Sequence, residues 1–337
     1  MFKYKSVLIT GGTGSFGKRC LSKLVKISSI QRIVIFSRDE LKQHDLMQKY
    51  PEKKYPSLRF FLGDVRDKYR LISALEGIDL VIHAAALKQV PSAEYNPYEF
   101  IKTNVLGSNN LIEACIAQDV KKVISLSTDK AAAPVNLYGA TKLCADKLFI
   151  SANNIVGKKK QSFSVVRYGN VMMSRGSVIP IFLKNKKKHI NITDPRMTRF
   201  NITLDQGVNF VLEVANKSIG GEIFVPKLPS YNIMDLANAV SEKCKKKIIG
   251  IRDGEKIHEE MITKSDSHNT IETKSFFIIL PNRKKMDKYL KIFKARKITK
   301  PFSYNSYSND WKLKISDLKL ILKKNAVNEW NHKKIIF

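Results

Sequence analysis

Ser6-Val-Leu-Ile-Thr10-Gly11-Gly12-Thr13-Gly14-Ser15-Phe16-Gly17 decides the fold. Its first five residues are a short apolar, β-branched run, the pattern of a buried strand. The glycines permit a tight turn, and a helix is expected from about Lys18 to Val25. Strand, glycines and helix in that order let backbone N–H groups approach a pyrophosphate at the helix N-terminus. A glycine triplet alone is weak evidence, but this one has the flanking elements that a dinucleotide fingerprint requires. Gly11, Thr13, Gly14, Ser15, Phe16 and Gly17 are the first candidate cofactor contacts.

Working outward, strands and helices alternate. The second strand, Arg32 to Phe36, ends where an NAD-selective site places an acid for the ribose 2′-hydroxyl. Here Ser37-Arg38 follows, with Lys42 one turn on. A hydroxyl, a guanidinium and an amine suit a 2′-phosphate, so NADP is favoured over NAD. Asp39 is the counter-argument. Leu58 to Leu62 forms the next strand and leads to Gly63-Asp64-Val65. Asp64 is either an acceptor for an adenine amino group or a helix N-cap, with Val65 beside it. Asp79 to His83 follows, then Ala84-Ala85-Ala86, whose small side chains let a cofactor pass closely at Ala84 and Ala86. His83 reads as structural. A helix is expected over Tyr98 to Gln118, with Thr103 as a further cofactor contact.

The last units of this rhythm carry the chemistry. Strand Val123 to Leu126 delivers Ser127-Thr128-Asp129-Lys130 to its carboxyl end, and a loop through Pro134 leads to a helix with Tyr138 and Lys142. Residues at i and i+4 share a helical face. A nearby ammonium favours a phenolate, so Lys142 is expected to lower the Tyr138 pKa from its usual value of about 10. Cys144, Ala145 and Leu148 are expected to pack inward. Tyr50/Lys54 and Tyr98/Lys102 have the same spacing, but no strand-end polar cluster precedes either. An exposed Asp129–Lys130 ion pair would contribute at most about 1 kcal/mol; their place at a strand end points to chemistry instead.

The alternation implies an α/β, Rossmann-like doubly wound parallel sheet with the site beyond the strands' carboxyl ends. Strand Phe163 to Val166 leads to Arg167-Tyr168-Gly169-Asn170, after which the pattern changes. Residues 175–199 read as loops and short helices, Glu222 to Val225 as a strand returning to the sheet, Ile233 to Val240 as a helix, and Lys247 to Ile251 as a strand. The division expected is 1–170 for cofactor binding and 171–337 mainly for a smaller, discontinuous substrate-binding part and a helical tail.

At 337 residues and 43% hydrophobic, the chain can bury a large core, and no apolar run approaches the roughly 18 residues of a membrane span. The N-terminus lacks signal-peptide features, so a soluble, cytoplasmic protein without membrane insertion is expected. The four cysteines lack metal-ligand spacing and read as mostly buried thiols; no metal is expected. The net charge of +30 includes nine Lys or Arg between Pro281 and Lys300. Lysine enrichment along the whole chain and the lack of aromatic interleaving argue against a nucleic-acid partner, and leave steering of an anionic substrate.

Ser37-Arg38-Asp39-Glu40-Leu41-Lys42-Gln43, Ala84-Ala-Ala-Leu-Lys88-Gln-Val-Pro91, Leu126-Ser-Thr-Asp-Lys-Ala131 and Ile192-Thr-Asp-Pro-Arg-Met-Thr-Arg-Phe200 together resemble the inverting UDP-N-acetylglucosamine 4,6-dehydratases. These are extended short-chain dehydrogenases/reductases of pseudaminic acid-type pathways. The resemblance runs from Ser6 to about Met261 and is to the short soluble form. It implies Tyr138, Lys142, Thr128, Asp129 and Lys130 as catalytic residues, and Lys88, Asn170, Arg199, Arg252 and Glu255 as contacts to a UDP-sugar. It further implies a depressed Lys130 pKa, a protonated Asp129, and a homo-oligomer, dimer or hexamer. Retaining relatives have Asp-Glu where this chain has Asp129-Lys130. A 4-epimerase or 4-reductase of the same fold, or a non-enzymatic NADP-binding regulator, is the alternative.

Overall fold

The computed structural model describes residues 2–157 and 159–329. Six parallel strands, β1 (Ser6–Thr10), β2 (Arg32–Ser37), β3 (Leu58–Leu62), β4 (Leu80–His83), β5 (Lys122–Thr128) and β6 (Ser162–Tyr168), lie in the order β3-β2-β1-β4-β5-β6. Helices cover both faces, which is why these strands read as near-continuous apolar runs. Thr10 pairs with Phe36 on one side and His83 on the other, so the glycine turn leaves the sheet where the strand order reverses. That is the crevice in which doubly wound sheets bind ligands.

The expected return of the chain to the sheet occurs at Ile223–Pro226, parallel to β6. Phe276–Ile279, Thr270–Glu272 and Arg296–Lys297 then extend that edge through antiparallel pairings. A second core forms beside the sheet, from Met172, Ile179, Phe182, Ile190, Leu236 and Val240. Helix Ile315–Glu329 of the tail closes it with Leu318 and Leu322.

Several expected elements differ in detail. The helix expected over Tyr98 to Gln118 is broken by a wide π turn, Ile101–Leu106, between Pro97–Phe100 and Gly107–Ala117. The turn carries Asn104, which binds both the N–H and the C=O of Leu87 at 2.9 Å and Thr141 at 3.1 Å. Residues 175–199 hold more than loops and helices. His189–Ile192 alternates exposed and buried side chains and pairs with Lys245–Ile248, which starts two residues before the expected Lys247. Thr198–Ile202 lies between Asn170–Val171 and Ser230–Asn232.

Cys144 is exposed, not packed inward; the other three cysteines are buried. The buried stripe of helix Leu137–Ile155 is Lys142, Ala145, Phe149 and Ala152, at intervals of three and four, and Cys144 falls off it.

A buried ion pair ties β5, β6 and helix Leu137–Ile155 together. Arg167 Nη2 lies 3.1 Å from Asp146 Oδ2, to which Ser127 Oγ donates at 2.7 Å, and Arg167 Nη1 donates to the Met261 carbonyl at 3.1 Å. Removing one partner strands the other's charge in the core, which typically costs about 3–5 kcal/mol. Arg167→Met is expected to lose that much in urea unfolding; a loss below about 1 kcal/mol would show that the pair does not hold these elements together.

Candidate active site

β5 ends in Thr128, whose carbonyl-side turn, Asp129–Ala131, tucks under the start of helix Leu137–Ile155. The approach is close: a Cβ on Gly139 would meet the Lys130 carbonyl oxygen at 2.3 Å, so only glycine fits. Thr128 Oγ1 donates to Asp129 Oδ1 at 3.0 Å and accepts from the Lys130 N–H. Lys130 Nζ reaches Asp129 Oδ1 at 3.1 Å and Glu259 Oε1 at 3.0 Å. Asp129 and Glu259 are almost fully buried, so this is no exposed ion pair.

Burial pushes the Asp129 carboxyl above its usual range, outweighing the pull of Lys130. Burial acts the opposite way on Lys130, but the Asp129 and Glu259 carboxylates outweigh it and raise the ammonium's pKa. The expected depression of Lys130 is therefore absent, because Asp129 and a second carboxylate, Glu259, both face it. Tyr138 also departs from expectation. Burial pushes its phenol up to about 12, opposed by Lys130 and by contact with the Thr128 hydroxyl. Lys142 donates instead to the Leu126 carbonyl at 2.7 Å, and burial lowers its pKa.

One cleft of about 1810 Å³ runs from the glycine turn past Thr128, Asp129, Lys130, Tyr138 and Lys142 to Arg252 and Glu255. Gly11, Thr13, Gly14, Ser15, Phe16, Gly17, Lys42, Ala84, Ala86, Lys88, Asn170 and Arg199 also line it. Ser37, Arg38, Asp64, Val65 and Thr103 lie outside this wall. Ser37 Oγ binds Thr13 Oγ1 at 2.9 Å, which joins the end of β2 to the glycine turn. Arg38 is half-exposed and 3.4 Å from Asp64, whose carboxylate also takes Arg66 at 2.7 Å. Asp64 is thus held by arginines, and the N-cap of the next helix is Asp67. Val65 is buried against Gly107, and the buried Thr103 hydroxyl has no hydrogen-bond partner among the described residues.

The glycine turn has the shape of a phosphate cradle. Gly11 has φ +64° and passes so close to the chain after β4 that a Cβ would meet Ala84 at 2.9 Å. Ala84 and Ala85 N–H groups donate to Thr10 Oγ1, which also bonds the buried His83 ring at 2.8 Å. Burial drives the His83 pKa down to about 3, so the ring is neutral and structural.

On the far wall, Asn170 presents a buried side-chain oxygen without a partner among the described residues. The Lys88 pKa is lowered by burial and by Lys130. Arg199 differs from expectation: its fork donates to the Thr198, Lys256 and Ile257 carbonyls at 2.7–2.9 Å, so it braces the wall. Arg252 and Glu255 pair with each other at 2.5 Å at the mouth. Sequence reasoning missed Glu259 and Lys256. No strand or helix period marks them, and the 198–202 pairing that brings them in is long-range.

The profile of a family described as "Polysaccharide biosynthesis protein" matches residues 7–281. The chain belongs to this family. The "UDP-N-acetylglucosamine 4,6-dehydratase (inverting)" of Campylobacter jejuni subsp. jejuni serotype O:2 is 52% identical over 318 residues, 92% of this chain and 94% of that protein. A Rickettsia canadensis protein named UDP-glucose 4-epimerase is 41% identical and covers 98% of each chain. Among solved structures, Pen from Bacillus thuringiensis matches with TM-score 0.86 and 38% identity, covering 95% of this chain and 98% of its own. DesIV, a dTDP-glucose 4,6-dehydratase from Streptomyces venezuelae, shares the fold at TM-score 0.67 and 20% identity, covering 75% of this chain and 86% of its own. With a relative of this identity and coverage named as a dehydratase, the chain is an enzyme.

Asn136 links the two walls of the cleft. Its Oδ1 caps the catalytic helix by accepting from Gly139 N at 2.8 Å, and its Nδ2 donates to the Gly254 carbonyl at 2.7 Å. Asn136→Ala is expected to lower stability by about 1 kcal/mol. It should also speed proteolytic cleavage within residues 249–256. Unchanged cleavage would show that the cap acts on the helix alone.

Proposed function

We propose that the chain catalyses C4,C6-dehydration of UDP-N-acetylglucosamine with inversion at C5. The product is UDP-2-acetamido-2,6-dideoxy-L-arabino-4-hexulose, a precursor for bacterial surface sugars of the pseudaminic acid type. The observation that carries this reading is a buried acid and amine, Asp129 and Lys130, beside Tyr138 in one cleft. An enzyme that only oxidises and reduces C4 has no use for them. The identity to the inverting dehydratase supports the same assignment.

The backbone at Gly11 and Gly14 would hold a dinucleotide, whose nicotinamide would supply the hydride chemistry between C4 and C6. NADP is the reading that the β2 end favours. Asp39 accepts from Lys42 N at 3.0 Å and pairs with the Lys42 ammonium, so its carboxylate is committed, whereas Arg38 stands half-exposed. A planar guanidinium suits a 2′-phosphate.

Tyr138 takes the proton of the 4-hydroxyl, beside Thr128. The resulting ketone acidifies C5–H. Lys130 takes that proton once it has passed its own to Asp129, 3.1 Å away. Asp129 then protonates the departing 6-hydroxyl. Lys88 and Asn170 face the sugar in this reading, and Arg252 and Glu255 hold the nucleotide end. A homo-oligomer in the cytoplasm is the setting we propose. The second reading, a 4-epimerase, is favoured by the 41% identity to the Rickettsia protein of that name.

Incubation with UDP-N-acetylglucosamine is expected to give a product lighter by one water, with solvent deuterium at C5 and an L configuration when run in deuterated water. An isobaric product would establish the epimerase instead. Lys130→Ala should cut water loss by about 10²–10⁴-fold, the range for a general base. Arg38→Ala should weaken NADP⁺ binding by roughly tenfold while leaving NAD⁺ binding unchanged. Equal losses for both cofactors would assign the 2′-position to another group.

A further inference from the structure

We propose that Glu259 is a positioning residue of the elimination site, an ionised carboxylate that holds Lys130 against Asp129 and fixes the proton count that the three groups share. This rests on the dehydratase reading. Glu259 is 2% exposed and reaches Lys130 Nζ at 3.0 Å, almost the distance from Nζ to Asp129. Asp129 Oδ2 and Glu259 Oε2 are both buried, and neither has a hydrogen-bond partner among the described residues. Two carboxylates therefore share one ammonium.

They are not equivalent. Glu259 also lies 3.7 Å from Arg199 Nε and is faced by Lys256; Lys130 first, then these two cations, hold its carboxyl below the usual range despite burial. Asp129 hydrogen-bonds Lys130 and the Thr128 hydroxyl and is also faced by Lys256, but no arginine is paired with it among the described residues. The negative charge settles on Glu259. The Glu259 main chain is clamped as well: its N–H donates to Ser306 Oγ at 2.9 Å, and Ser306 N–H donates to its carbonyl at 2.8 Å. No helical or strand period marks a residue gripped in this way as a site residue.

The three groups carry one net negative charge in either of two arrangements. One is carboxylate, ammonium, carboxylate; the other is acid, amine, carboxylate. They differ by one proton moved from Lys130 to Asp129. In the second, C5–H breaks and its proton joins the Lys130 amine. The C5–C6 double bond forms, the C6–O bond breaks, and the Asp129 proton leaves in the water. The trio ends in the first arrangement with its charge unchanged. The proton that Tyr138 takes from the 4-hydroxyl balances the one later returned to C5. Without the Glu259 charge, the shared proton is lost to solvent at lower pH.

Among the described residues, the other charged and titratable groups facing the trio are Arg199 and Tyr231 from the paired strands, Lys88 from the loop after β4, Tyr138 from the helix, and Lys256 on Glu259's own segment, itself faced by Glu260. None of them is substituted in the test.

The experiment is the pH profile of single-turnover water loss from UDP-N-acetylglucosamine by wild type, Glu259→Gln and Glu259→Asp. Removing a negative charge eases loss of the proton from the Asp129–Lys130 pair and opposes its gain. Both limbs of the Gln profile are therefore expected to move to lower pH by about one unit or more. The Asp variant keeps the charge on a shorter arm; its limbs should match wild type while its rate falls. A Gln profile that loses height with both limbs in place would overturn the proposal, as would an Asp profile shifted like that of Gln. If the Gln variant does not fold, the Asp profile decides: limbs in place with a lowered rate support the proposal, and limbs moved to lower pH overturn it. Wild type that loses no water would refute the dehydratase reading; wild type that does, with the Gln limbs unmoved, would refute only the role of Glu259.

Discussion

Lys130 between Asp129 and Glu259 is the constraint that organises the second half of the chain. Two carboxylates buried together repel and lose their hydration, a cost of several kcal/mol per ion unless cations and hydrogen bonds offset it. Lys130 comes from the end of β5, Arg199 from strand Thr198–Ile202, and Glu259 is clamped by Ser306 from the tail. Satisfying one charge cluster thus brings three distant segments to one point. The tail's place follows from this: it closes the second core with Leu318 and Leu322 and steadies the acid that faces Lys130.

The same region is stitched along its length. Asn136 joins the catalytic helix to Gly254, and Lys256 Nζ donates to the Ala132 carbonyl at 2.7 Å. Gly254 has φ +73°, and a Cβ there would meet Asn136 at 2.9 Å. The segment that carries Arg252, Glu255 and Glu259 is therefore bonded to the turn that carries Asp129 and Lys130. In the proposed reaction, nucleotide contacts at the mouth and proton transfer at the base belong to one connected unit.

How much of this was legible follows the range of the interactions. β1 and the glycine turn are local patterns, and their reading was accurate to the residue at Ser6–Thr10. The parallel sheet followed because the strands alternate with helices. The π turn was not legible, since its cause is Asn104 reaching Leu87, a contact across sequence. The Tyr138/Lys142 spacing correctly places both residues on one cleft, but spacing says nothing of which acceptor a lysine meets, and Lys142 meets the Leu126 carbonyl. Cys144 was misread because several apolar phases fit that helix, and only packing selects the one through Ala145 and Phe149. Glu259 lay outside every local pattern, so the expectation for Lys130 lacked one of the two carboxylates that raise its pKa.

That reversal bears on the order of steps. A Tyr138 phenolate is a new negative charge near Asp129 and Asp146, and both disfavour it; Lys130 is the nearby cation that favours it. Lys130 serves this purpose only as an ammonium. To act on C5 it must be an amine. The two demands on one nitrogen conflict if made together and agree if made in sequence. In the proposed reaction, while the 4-hydroxyl is losing its proton, the carboxylate–ammonium–carboxylate arrangement supports the tyrosine. Once C4 is a ketone, C5–H is acidic, and the proton on Lys130 can move 3.1 Å to Asp129 without changing the charge of the site. The inverting sequence places the cation where both halves of the reaction draw on it, and the remote Glu259 keeps a carboxylate beside it.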